Sequence, residues 1–326
     1  MRRNRAAALC GAVLLLLTLC GCGTDPVSST QHVVTLVSKS TQTEFWLSVF
    51  AGAEAAATEY NIKLNIIGPE TEEDYQAQNR MVADAVANGT EALVFSAIDF
   101  EKNAPAIDAA AQEGVRIVSI DSGVDSDQVS TYIGTDNYAA GRMAALAALE
   151  QVEGSLSVGL VNYDEGTANG QQREQGALDV LDECGRARIA GEVTTLVDAD
   201  RAQEDTAALL TENPDINVLL AFNEPTSVGA ARAVESLGLS DQVFLVVFDS
   251  NVATIDGLQT GSVDALVVQN PYAMGYLGVE SAYKLLSGQG GELEQTVDTS
   301  TRIVDRSNLF SVDSQKALFA FEQRGD

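Results

Sequence analysis

Arg116-Ile-Val-Ser-Ile-Asp-Ser122 and Val243-Phe-Leu-Val-Val-Phe-Asp-Ser250 are the two stretches on which the fold turns. Each is an apolar run that ends in Asp-Ser. Each follows, by about 25 residues, another apolar run ending in a polar residue: Leu93-Val-Phe-Ser96 before the first, Leu219-Leu-Ala-Phe-Asn223 before the second. Short apolar runs of this kind read as buried strands, and the same pair met twice reads as two related α/β halves. Ligands of open α/β sheets sit beyond the carboxyl ends of the strands, so Ser96, Asp121, Asn223 and Asp249 are expected to converge on a cleft between the halves. The other use of such residues is as helix N-caps or turn formers.

Outward from these runs, short apolar segments alternate with longer helical ones, as in βαβ units around parallel sheets. Strands are expected at 33–37, 63–67, 92–95, 116–120, 156–161, 189–196, 218–222, 244–248 and 265–268, with helices between them. Tyr75, Val82, Ala85 and Val86 fall on one stripe, as a helix lying on a sheet requires. A body of about 300 residues exceeds the size at which one core stops growing, so two lobes are expected.

The first residues indicate where the protein works. Arg2, Arg3 and Arg5 precede an apolar run that ends in Leu19-Cys20-Gly21-Cys22, a small-residue cleavage site with cysteine directly after it. This reads as a lipoprotein signal peptide over 1–21. Cys22 is then the lipidated residue, and 22–31 a polar tether holding the body outside the cytoplasm at the cell membrane. The run is shorter than the ~20 residues of a spanning helix. Cys10 and Cys20 leave with the signal, so Cys184 stands alone and a disulfide framework is excluded. A formal charge of -28, from 19 basic and 47 acidic side chains, argues against nucleic acid and anionic membrane surface as partners.

The order of these segments resembles the ribose-binding branch of periplasmic sugar-binding proteins, the substrate receptors of ABC importers, from about Val33 to Asp305. In that family the first strand leads to a loop ending in two aromatics, which Val37-Ser-Lys39-Ser-Thr-Gln-Thr43-Glu-Phe45-Trp46 resembles. Ile133-Gly-Thr-Asp-Asn137, with Gly141 in the next helix, is similar to the first lobe crossover. Arg173-Glu-Gln-Gly176 is similar to the sugar-binding arginine segment. Asn223-Glu224, Phe248-Asp249 and Val268-Gln269 complete the series in order. The resemblance implies an α/β fold of two Rossmann-like lobes with parallel sheets joined by a three-crossover hinge, the type I periplasmic-binding-protein fold. The first lobe would comprise 32–134 and 271–298, and the second 135–270 and 299–326 with the tail. The crossovers would lie near 134–136, 269–271 and 297–300.

Sugar chemistry agrees with this assignment. A sugar presents apolar C–H faces and a rim of hydroxyls, so its receptor needs flat aromatic surface and planar polar groups. Phe45 and Trp46 supply the surface; the position of Trp46, the only tryptophan, fits ligand stacking better than core filling. Asp121, Arg173, Asn223, Asp249 and Gln269 supply the rim, with Ser96, Lys39 and Thr43 beside them.

Departures from the family pattern bear on the ligand. Lys39 and Thr43 replace a small polar residue and an asparagine, Ser122 replaces an arginine, and the second-lobe aromatic expected near 197–200 is missing. A lysine in that loop is also similar to receptors for the furanone autoinducer-2, whose other second-lobe residues are absent here. Enzyme chemistry finds little footing. His32, the only histidine, lies in the tether, which removes histidine triads and His-metal sites. No Gly-x-Gly-x-x-Gly follows a strand, no phosphate loop exists, and no cofactor or metal is implied. A two-carboxylate glycosidase is the remaining enzymatic alternative. The expected ligand is a monosaccharide or polyol held between closing lobes, and the expected partners are an ABC permease and its ATPase subunit.

Overall fold

The computed structural model describes residues 31–319. The signal segment, Cys22 and the rest of the tether to residue 30 lie outside the described residues, as do residues 320–326. His32 onward belongs to one compact unit. His32 itself is part of that body rather than of the tether: its Nδ1 lies 2.8 Å from Glu91 Oε2, and its carbonyl accepts the Lys63 N–H.

In chain order the elements of the first half are β1 (Val33–Val37), α1 (Glu44–Glu59), β2 (Lys63–Ile67), α2 (Tyr75–Ala87), β3 (Ala92–Phe95), α3 (Ala104–Gln112), β4 (Arg116–Ile120) and β5 (Val129–Gly134). The second half follows with α4 (Asn137–Gln151), β6 (Leu156–Tyr163), α5 (Ala168–Glu183), β7 (Ala187–Thr195), α6 (Ala199–Glu212), β8 (Val218–Ala221), α7 (Glu224–Ser236), β9 (Phe244–Phe248), α8 (Val252–Thr260) and β10 (Ala265–Val268). The chain closes with α9 (Pro271–Leu286), β11 (Thr296–Asp298), β12 (Arg302–Asp305) and α10 (Val312–Leu318).

These strands form two six-stranded sheets, ordered β11-β5-β4-β3-β1-β2 and β12-β10-β9-β8-β6-β7. The first is parallel throughout, and the second is parallel except for the antiparallel β12. Helices cover both faces, so central strands such as β3, β8 and β10 are buried at every residue and read as unbroken apolar runs. The nine expected strands are all present. Three more were not anticipated: β5 mixes Ser, Thr and Tyr with aliphatics, while β11 and β12 are only three and four residues long. With one or two aliphatics between polar ends, β11 and β12 show no apolar run and are defined by the neighbour they pair with.

The chain passes between sheets three times: after Gly134, between Val268 and Pro271, and between Asp298 and Arg302. In each half one helix pair crosses at very close range. A Cβ on Gly52 of α1 would run into the Tyr272 carbonyl of α9, and one on Gly275 into the Val49 carbonyl. In the second half a Cβ on Gly141 of α4 would meet the Arg173 carbonyl of α5, and one on Gly176 the Tyr138 carbonyl. α1 carries Phe45 and Trp46 and α5 carries Arg173, so these contacts set how far both helices project toward the space between the sheets.

Candidate functional site

Both sheets direct the carboxyl ends of their central strands into one chamber between them. On the first-lobe side, Lys39 follows β1, and Thr43 caps α1 by accepting the Trp46 N–H at 3.4 Å. The cap turns the chain so that Phe45 and Trp46 occupy the first helical turn, edge to face with centroids 5.3 Å apart. The buried Gln78 stiffens the floor, donating to the carbonyls of Ser38 and Ser96 and accepting the Ile98 N–H.

Trp46 is fully buried and belongs to the hydrophobic core of the first lobe as well as to the chamber wall. The expectation of a ligand-facing side chain in place of core filling is thereby corrected: Trp46 fills the core and borders the chamber as well. Its Nε1–H donates to Glu72 Oε1 at 2.8 Å, and Glu72 Oε2 lies 3.1 Å from Lys39 Nζ. Lys39 Nζ is also 3.6 Å from Asp121 Oδ2 and 5.6 Å from the centroid of the Tyr163 ring. Burial by itself would push the Lys39 ammonium down, yet the carboxylates of Glu72 and Asp121 hold it well above its ordinary value. Ser96 does not line the chamber; it stands one step behind, donating its hydroxyl to Asp121 Oδ2 at 2.9 Å. Asp121 Oδ1 accepts from Asn169 of the opposite lobe at 3.3 Å.

On the second-lobe side, Arg173 is almost wholly buried and each of its three nitrogens donates to a protein oxygen. Nε donates to Asn137 Oδ1 at 2.9 Å, Nη1 to the Phe222 carbonyl at 2.6 Å and Nη2 to Gln269 Oε1 at 2.8 Å. The guanidinium lies 4.6 Å from the centroid of the Phe248 ring. Gln269 Nε2 donates to Asp249 Oδ1 at 2.6 Å, and burial pushes the Asp249 carboxyl up to about 6. Asn223 has both of its anticipated roles. It caps α7 through a capping box with Thr226, and it borders the chamber.

The two lobes touch directly across the opening. Glu224, the first residue of α7, accepts the Glu44 and Phe45 N–H groups of α1 at 3.2 and 2.9 Å, and burial raises its carboxyl to about 7. Glu44 in turn accepts the Val252 N–H of α8 at 3.3 Å, and Glu73 accepts the Val197 N–H at 2.9 Å. The lobes are therefore closed on each other.

Of the expected site residues, Lys39, Thr43, Phe45, Trp46, Asp121, Arg173, Asn223, Asp249 and Gln269 meet in this one space. Glu72, Tyr163, Asn169, Glu224 and Pro225 also line it and were not foreseen. Tyr163, at the end of β6, places a second-lobe aromatic at the chamber although none occurs near 197–200. Its position at a strand end was the one available signal. Glu72 lies among Glu70, Glu73 and Asp74, and nothing local marks it as the acid that turns inward.

Comparison with known proteins agrees with this geometry. The periplasmic binding protein domain matches residues 34–290. The chain belongs to that family. This periplasmic binding protein is 29% identical over 281 residues to a D-ribose/D-allose-binding protein of Pseudomonas aeruginosa, covering 83% of this chain and 88% of the relative. A carbohydrate transporter solute-binding protein of Agrobacterium radiobacter in complex with D-arabinose superposes with a TM-score of 0.86 at 29% identity, over 89% of this chain and all of that one. An ABC transporter solute-binding protein of Agrobacterium vitis with bound D-fucose gives 0.85 at 27% identity, over 88% of this chain and all of that one. Periplasmic binding proteins carry a solute rather than transform it, which removes the glycosidase alternative.

Proposed function

We propose that this periplasmic binding protein captures one uncharged monosaccharide or polyol between its lobes and presents it, in the closed form, to an ABC permease and its ATPase subunit. The observation that carries the reading is the convergence, around a single chamber, of Phe45 and Trp46, packed edge to face on each other, and of Asp121, Arg173, Asn223, Asp249 and Gln269. Aromatic surface takes the C–H face of a sugar ring, and carboxylates and amides take its hydroxyls, about 1.5 to 3 kcal/mol for each bond to a charged group. The relatives named for ribose and allose, and the neighbours with arabinose and fucose bound, support a ligand of that size and class. Ligand stabilises the closed arrangement over an open one, which a permease can sense. Lipidation of Cys22 would keep the receptor at the membrane outside the cytoplasm; an N-terminal peptide carrying an unmodified Cys22 would rule the anchor out.

The deciding experiment is calorimetric titration of the mature protein with D-ribose, D-allose, D-arabinose, D-fucose, D-galactose, a set of polyols, uronic acids and the furanone signal. Tight binding of a neutral sugar or polyol is expected. Binding confined to the acids or to the furanone would overturn the reading.

A further inference from the structure

The β2-α2 loop carries Glu70, Glu72, Glu73 and Asp74 in quick succession, and three of the four are exposed. Asp74 caps α2, and Glu73 reaches across to the Val197 N–H. Glu72 alone is buried, at 7% exposure, and both of its oxygens are used: Oε1 by the Trp46 indole N–H, Oε2 by the Lys39 ammonium. A carboxylate is costly to bury unless it is paired and hydrogen-bonded, and Glu72 is both.

The remaining charges of the chamber give this contact its meaning. Lys39 faces two carboxylates, at 3.1 and 3.6 Å. Arg173 donates its Nε–H and one N–H of each terminal nitrogen to protein oxygens. The acids bordering the chamber are Glu72, Asp121, Glu224 and Asp249, against the two cations. Both cations are thus already engaged by protein oxygens, and an anionic ligand would enter a low-dielectric space in which four acids outnumber two cations.

We infer that Glu72 is the specificity-determining residue of this chamber: by occupying Lys39 and fixing Trp46 together, it admits uncharged rings and rejects acidic sugars. The inference rests on the sugar-binding reading above and adds to it the residue that sets the charge of the ligand. Exclusion here is built from like charge rather than from a missing contact. Without the Glu72 charge, Lys39 keeps only the more distant Asp121, and its ammonium becomes available to a ligand carboxylate.

The test is Glu72→Gln, which keeps an acceptor for Trp46 and removes the charge, titrated with D-ribose, D-galactose and D-galacturonic acid. The wild type is expected to bind a neutral sugar and no uronate. E72Q should lose about tenfold for the neutral sugar and gain tenfold or more for D-galacturonic acid, and adding Lys39→Met should abolish that gain. Unchanged selectivity in E72Q, or a uronate gain that survives K39M, overturns the inference. Glu72→Asp separates charge from shape and serves if E72Q does not fold. It should weaken neutral-sugar binding and shift the emission of ligand-free Trp46 while still rejecting the uronate. Unaltered affinity and emission in E72D, or a uronate gain there, would equally overturn it. Wild type that binds no sugar of the panel defeats the sugar-binding reading itself, a result distinct from wild-type binding with unaltered E72Q selectivity.

Discussion

Asp121 and Asp249 end corresponding strands of the two lobes with the same backbone. Both lie in the left-handed region, at φ 56° and 69°. Each donates its N–H to the neighbouring strand, to Ile133 and Val267, and each carbonyl accepts a hydroxyl, from Tyr132 and Thr254. Left-handed backbone is a cost for residues other than glycine that aspartate bears better than most. Around the side chains the likeness ends. Asp121 is tied to Ser96, to Asn169 and to the Lys39-Glu72-Trp46 chain. The Asp249 carboxylate accepts from Gln269, and burial lifts it to about 6, with Arg173 and Gln269 drawing it down. The first-lobe wall is thus also framework, while the second-lobe carboxyl has an oxygen left for a ligand hydroxyl.

The largest effect should come from the first-lobe wall. Trp46→Ala removes a fully buried core side chain, so a loss of about 3 to 5 kcal/mol of stability is expected together with the loss of binding. Chemical denaturation of the ligand-free protein measures it, and a variant as stable as wild type would show that the wall is not framework. Asp121→Ala comes next, at about 3 kcal/mol, because it leaves Lys39 buried with one of its two anions. Asp249→Ala should differ in kind. Affinity for a neutral sugar falls tenfold to a hundredfold, while the melting temperature stays within about 4 °C of wild type. Equal losses of stability in D121A and D249A would collapse the contrast between the lobes.

The smallest effect is a pH dependence. Asp249 at about 6 and Glu224 at about 7 both sit above their ordinary values of 3.8 and 4.5, burial being the first cause in each. The folded state therefore binds these protons more tightly than the unfolded chain does. Their contribution to stability is complete below about pH 4 and is lost as pH rises through 6 and then 7. Relative to wild type, Asp249→Asn and Glu224→Gln should each lessen the decline in melting temperature between pH 5 and pH 8, with the Glu224→Gln difference extending to the higher pH. Parallel melting curves against pH for all three proteins would remove both carboxyls from this account.

Much of the fold was legible because its signals are local. Nine strands show as apolar runs, and the matched Asp-Ser endings mark the halves before any contact is known. β5, β11 and β12 were not legible, since β5 mixes polar with apolar residues and β11 and β12 hold only one and two aliphatics between polar ends. Within the site, Asp121, Asn223 and Asp249 could be picked out because their positions follow from where a strand stops, and the Phe45-Trp46 pair because its loop resembles that of the sugar-binding family. Glu72, Asn169 and Glu224 could not. They lie on loops and early helical turns, and their partners are 26 to 180 residues away in the chain.

The sequence by itself determined the two α/β halves, the order of their strands along the chain and the polar residue at each strand end, because hydrophobic burial acts through patterns a few residues long. Only the tertiary structure decided which of 47 acids face inward, how Lys39 is neutralised and that Trp46 belongs to core and chamber alike. Those outcomes depend on distances between groups remote in sequence, and the electrostatic cost of a buried charge is set by what lies within a few ångströms of it.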